Sequence, residues 1–156
     1  MRIKMTLVLT LAFIFLCGFR SKNPNYVEFV EEGVIVHGAV TPLYFTAQER
    51  TDLMGIATSE AGNQGVKGMA LVMRVVLNRV EYDNSYGDDI HSVIFATGQF
   101  ATAGMPTNNF SKECEVAMHW IQYGWDESQG ALYFCANGYN GPVPLFQYLG
   151  HWFSTK

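Results

Sequence analysis

Apolar side chains recur at Leu53, Ile56 and Ala57, the i, i+3, i+4 spacing that gathers residues on one face of a helix. Glu60 falls seven residues after Leu53 and shares that face. The start of this helix is marked by Thr46 with Glu49 three residues on, a capping box in which each side chain satisfies the other's free backbone N–H. Gly62 and Gly65 end the helix and turn the chain. The next stretch, VKGMALVMRVVLNRV at 66–80, is apolar on nearly every side, and a helix without a polar face is a buried, central one. A connection of a few residues makes the two an antiparallel hairpin. That pairing covers most of the face of Glu60 and leaves its end near the turn.

After Val80 the periodicity breaks up. YDNSYGDD reads as a loop, and DIHSVIF as one or two helical turns capped by Asp89. ATGQFATAGMPTNN, 96–109, is a long loop carrying Gly, Pro and Asn, a length at which loops are commonly functional. Ser111 caps a further helix with Ala117, Trp120 and Ile121 on one face, and DESQG stops it. ALYFC at 131–135 is the best strand pattern in the chain, and the aromatic tail ends in a short strand. Helices first and strands last predict an α+β domain. Ahead of it, 21–45 is a connector: SKNPN is turn-like, and VEFVEEGVIVHGAV alternates loosely enough for a strand or extended segment.

The N-terminus differs in kind. Residues 5–19, MTLVLTLAFIFLCGF, are almost wholly apolar, with Arg2 and Lys4 ahead and Arg20 behind. This is the layout of a signal-peptide core, short for a bilayer span. No small-x-small cleavage site follows, so 1–20 is either a removed leader or an uncleaved membrane anchor. Leu16 before Cys17 disfavours lipidation. An exported protein of the envelope or extracellular space is expected, with its compact domain at 46–156.

Net charge is −4 with no basic run beyond the N-terminus, which disfavours nucleic acid as a partner. A weakly acidic, aromatic-rich exported chain suits a neutral polymer or sugar. Cys114 and Cys135 could pair, although two buried thiols is the preferred reading. His37, His91, His119 and His151 show no i, i+4 zinc spacing, and no metal or cofactor is expected. No G-x-S-x-G elbow or phosphate loop occurs.

Glu60 carries two readings. It can be a last-turn glutamate reaching solvent. Alternatively, its apolar company and the negative end of the helix dipole favour a protonated carboxyl, the state required of the general acid in glycosidic cleavage. No second acid is marked out: Asp83, Asp88, Asp89, Asp126 and Glu127 all fall in loops or caps. Phe100, Tyr133, Phe134, Tyr139, Phe146, Tyr148, Trp152 and Phe153 can stack on sugar rings or simply pack a core. Gln99, Asn137 and Gln147 can bind hydroxyls.

The stretch SEAGNQGVKGMALVMRVVLNRV resembles the signature of the SleB/CwlJ cell-wall hydrolases, the spore cortex-lytic enzymes and their relatives. The resemblance rests on Glu60-Ala61, Gly68 and Leu77-Asn78-Arg79-Val80, and continues through VIFATGQF and ALYF...PLFQ...HWFS, covering about residues 46–156. It implies peptidoglycan glycan strands as substrate and a mostly helical, lysozyme-like domain with a small antiparallel sheet. It also implies that Glu60 is the catalytic acid of a lytic transglycosylase, while other members have been described as amidases. Within the family-like segments, Gln99, Tyr133 and His151 are expected in the substrate groove. Asn78 and Arg79 are expected to cap the central helix and lie on its surface, a reading slightly favoured over direct substrate contact. Gln64 stands where some spore-lytic members carry a second glutamate. A monomer is expected, and the alternatives are an N-acetylmuramoyl-L-alanine amidase or a non-catalytic wall-binding module.

Overall fold

The computed structural model describes the backbone of Tyr26–Glu31 and Val34–Ala39 and all of residues 42–156. The apolar segment 5–19, the leader or anchor it was expected to form, and Cys17 lie outside the described residues. Two units are distinct, 1–39 and 40–156. In the first, β1 (Tyr26–Glu31) and β2 (Val34–Ala39) pair as an antiparallel hairpin, with Glu31 opposite Val34 at its closed end.

The second unit begins with α1 (Ala47–Ala61), opened by the capping box of Thr46 and Glu49. After the turn at Gly62–Gln64 comes α2 (Gly65–Tyr82), buried from Gly68 through Arg79. Gly65 has φ +68°, a left-handed conformation that glycine adopts without the Cβ penalty. The short α3 (Ile90–Phe95) carries an Asp89–Ser92 capping box, and α4 (Lys112–Gln122) is capped by Ser111. The other three helices all pack against α2. The core they enclose includes Leu53, Ile56, Met73, Ile94, Met118 and Ile121, each fully buried.

Three strands complete a mostly helical α+β domain: β3 (Tyr133–Cys135), β4 (Val143–Tyr148) and β5 (His151–Thr155). They form a small antiparallel sheet in the order β3-β5-β4. The tail thus holds two strands rather than one, folded back on each other at Leu149 (φ +44°) and Gly150. Pro144 sits in the edge strand β4, next to a break in register before Phe146, where a missing N–H costs no central ladder bond. ALYFC is a strand only from Tyr133 onward. The carbonyls of Ala131 and Leu132 are taken by side chains of α2 instead. Both cysteines of this unit are free, Cys114 buried and Cys135 half-buried. Burial raises the Cys114 thiol pKa.

Candidate active site

Glu60 occupies the last turn of α1 and is half-buried. Its Oε1 accepts a hydrogen bond from the Ala101 N–H at 3.2 Å, and its side chain enters a cleft of about 520 Å³. Residues 98–101 of the long loop form one wall of this cleft. That loop approaches α1 closely because position 55 lacks a side chain: a Cβ on Gly55 would stand 2.6 Å from the Pro106 carbonyl oxygen.

The floor is built by Arg79, which is 5% exposed. Its Nε donates to the Leu132 carbonyl at 2.7 Å and its Nη1 to Gln99 Oε1 at 2.9 Å. The guanidinium carbon lies 4.7 Å from the ring centre of Phe100, 5.4 Å from Tyr86 and 6.0 Å from Tyr133. Burial lowers its pKa, and the phenols of Tyr86 and Tyr133 act in the opposite sense. Arginine is nonetheless always protonated in proteins. Arg79 is therefore not a surface residue, since the burial of α2 extends through it and ends only at Val80. Nor does Asn78 cap the helix: it is buried, and its Nδ2 donates to Ser128 Oγ and the Ala131 carbonyl, both at 2.9 Å.

Tyr133 and Phe134 of β3 also line the cleft, the Phe134 ring centre 6.0 Å from that of Phe100. The Tyr133 and Tyr86 hydroxyls are 2.6 Å apart. Burial first, then the bond to Tyr133, raises the Tyr86 pKa. Lys156 Nζ stands 4.9 Å from the centre of the Tyr86 ring.

Of the residues expected in the groove, Gln99 and Tyr133 line the same cleft as Glu60. His151 does not. It is buried on β5, its ring centre 4.8 Å from that of Phe134, so it stands behind the cleft wall. Among the described residues its Nδ1 has no hydrogen-bond partner, and burial lowers its pKa. Gln64 is buried in the turn after α1, its Oε1 likewise unpartnered. Sequence reasoning held substrate contact by Arg79 only as the less favoured reading, and it missed Tyr86 as a cleft residue. The available signal was a pair of arginines, Arg74 and Arg79, within a largely apolar helix, which does not tell the two apart. Among the described residues, no three His, Cys, Asp or Glu side chains converge to hold a metal ion.

The profile of the cell wall hydrolase family, Hydrolase_2, matches residues 63–153. This chain belongs to that family and is an enzyme of peptidoglycan breakdown, which implies work at the cell envelope. The match begins three residues after Glu60, so the part assigned to that side chain rests on geometry. Two solved structures share the fold. One is the catalytic domain of the Bacillus cereus SleB protein, with TM-score 0.63 and 20% identity, over 74% of this chain and 95% of that one. The other is the catalytic domain of the germination-specific lytic transglycosylase SleB from Bacillus anthracis, with TM-score 0.64 and 20% identity, over 74% and 100%. No curated protein matches the sequence significantly.

Proposed function

We propose that this enzyme is a lytic transglycosylase cutting the bond between N-acetylmuramic acid and N-acetylglucosamine, with Glu60 as acid and then base. The observation that carries the reading is that, among the described residues, Glu60 is the only carboxylate lining the cleft. A two-acid glycosidase needs a second carboxyl, about 5–5.5 Å away for retention or about 6.5–9.5 Å for inversion. A transglycosylase needs only one, because the substrate supplies the nucleophile.

In the proposed reaction, protonated Glu60 gives its proton to the bridging oxygen as the muramyl C1–O bond breaks. The N-acetylglucosamine end leaves with a free 4-hydroxyl. The muramyl 6-hydroxyl then closes onto C1 and returns its proton to the Glu60 carboxylate, leaving a 1,6-anhydro end and no net use of water. The Ala101 N–H on Oε1 orients the carboxyl and leaves Oε2 to face the bond. Around it, Tyr133 offers a hydroxyl and an aromatic face for a sugar ring. In this reading 46–156 is the catalytic domain, active as a monomer, and 1–20 exports it or holds it at the membrane.

The test is mass spectrometry of purified peptidoglycan digested by the full-length chain, wild type beside Glu60→Gln. Anhydro-muropeptides from the wild type alone are expected. Reducing-end sugars would identify a hydrolase whose second acid must be sought. Free stem peptides still released by the variant would identify an amidase and remove Glu60 from the mechanism. Binding with no product would leave a wall-binding module.

A further inference from the structure

The helix α2 carries a buried cation that the fold leaves without a counter-ion. Arg79 makes no ion pair among the described residues. Its compensation consists of one carbonyl, one amide oxygen and the faces of three aromatic rings. A guanidinium has five N–H donors, and the hydrogen bonds of Arg79 use two of them. The rest belong to a side chain that lines the cleft. A buried charge is costly unless paired, and a planar donor fork is the group that best matches a carboxylate.

We infer that Arg79 is a substrate-binding cation whose ligand is a carboxylate on the lactyl or peptide arm of a muramyl residue. This rests on the reading of the cleft as the peptidoglycan-cleaving site. The glycan strand alternates two sugars through the same β-1,4 linkage, and the backbone sugars differ at the muramyl O3. There the lactyl ether ends in a carboxylate, or continues into a peptide that bears one. N-acetylglucosamine has neither. Arg79 is thus the cleft group suited to reading which of the two alternating bonds lies at the acid. Residues 99–101 couple the two positions: Gln99 and Phe100 contact Arg79, and the Ala101 N–H holds Glu60. A carboxylate seated on Arg79 fixes the register of the strand relative to Glu60.

The experiment is calorimetric binding to the Glu60→Gln protein of four tetrasaccharides of equal length. One bears muramyl residues with free lactyl carboxylates, the second their methyl amides, the third an L-alanyl-D-glutamate arm, and the fourth is all N-acetylglucosamine. At least one carboxylate ligand is expected to bind about tenfold or more tightly than both the amide and the N-acetylglucosamine tetramer, with the preference weakening as salt rises. The better of the two carboxylate ligands identifies which arm is read. Adding Arg79→Gln should abolish the preference, and Arg79→Lys should restore part of it. Equal affinities for all four ligands would overturn the proposal, and this series needs no change at Arg79, so a folding defect cannot obscure it. A folded Arg79→Gln protein that keeps the preference would overturn it as well. If Glu60→Gln still cleaves, the acid assignment fails on its own, and the ranking of initial binding still decides the role of Arg79.

Discussion

Arg74 and Arg79 lie on the same buried helix, and their surroundings differ in a way that separates structure from function. Arg74 Nη2 reaches Asp126 at 2.8 Å and Asn78 Oδ1 at 3.0 Å. Asn78 passes the connection to Ser128 and Ala131, and Asp126 accepts from the Ser128 N–H and hydroxyl. The charge there is answered by a carboxylate of the chain itself, although Arg74, like Arg79, uses only part of its donor fork and its buried Nε has no partner among the described residues. This network ties the segment 126–132 to α2. Arg79 has no carboxylate partner among the described residues, and it lines the cleft together with Glu60. A charge paired within the chain is compensated by the fold itself, whereas a buried charge left unpaired at a cleft costs stability and is available to a ligand.

Mutations should therefore separate the two regions, activity falling in one and stability in the other. The largest effect is expected from Glu60→Gln. The amide oxygen can still accept from Ala101, so only the transferable proton is lost. Activity on peptidoglycan should fall by about 10³-fold, within the range that general acid–base groups supply. The unfolding free energy should stay within about 0.5 kcal/mol, as for substitutions outside the core. Steady-state turnover and urea denaturation check the two halves. A variant that loses stability instead would make Glu60 a structural acid and erase the contrast with the Arg74 network.

Asn78→Ala should show the reverse. It strips Ser128 and the Ala131 carbonyl of their donor and Arg74 of one acceptor, all in a buried setting. A loss of about 2–3 kcal/mol in urea unfolding is expected, with the turnover of the folded enzyme changed less than twofold on the scale of those energies. Asp126→Asn should cost less, about 1 kcal/mol, because the Asp126 side chain is 36% exposed and its attraction to Arg74 is partly screened by water. Raising salt should shrink the difference between wild type and this variant. A salt-independent difference would mean that Asp126 acts through its hydrogen bonds to Ser128 rather than through charge.

The helical framework was legible in the sequence because its signals are local. Thr46 with Glu49, Asp89 and Ser111 each sit within three residues of what they cap, and the spacing of Leu53, Ile56 and Ala57 needs only one helix to be understood. Glu60 was legible for the same reason, as a polar residue on a core-facing stripe. Arg79 was not. A helix that is apolar all round gives periodicity nothing to orient, so a charged residue on it reads as surface. Its true surroundings come from Leu132, Gln99 and Phe100, which lie far along the chain. Tyr86 was hidden in a loop pattern for the same reason. The β4–β5 hairpin was half legible, since its strands are short and its turn depends on a left-handed Leu149. Gln99 reads in sequence as a free amide for sugar hydroxyls, whereas its oxygen is already committed to Arg79.

The smallest expected effect concerns His151, which stands between the two regions, behind the cleft wall and outside the Arg74 network. Burial lowers its pKa in the folded protein, so the folded state holds the ring neutral where the unfolded chain, with an ordinary value near 6.5, would protonate it. Above about pH 6.5 both states are neutral and His151 adds no pH dependence. As pH falls below that value the unfolded chain takes up the proton first, and stability is lost progressively until the folded ring also titrates. The slope cannot exceed about 1.4 kcal/mol per pH unit for one proton. His119, whose pKa is lowered by burial and then by Arg50, acts in the same direction. Urea midpoints at pH 7.5 and 5.5 should thus fall less for His151→Phe than for the wild type, with the residue from His119 remaining. Phe134 and Phe153 already flank the ring, so phenylalanine keeps its apolar contacts. Asp83 and Asp89, whose pKa values lie below the usual carboxylate range because of their bonds to Ser85 and Ser92, titrate below this window. An unchanged pH dependence in the variant would mean that the buried ring finds a proton partner, such as a water at the unpartnered Nδ1. His151 would then belong with the open polar groups of the cleft rather than with the packing behind it.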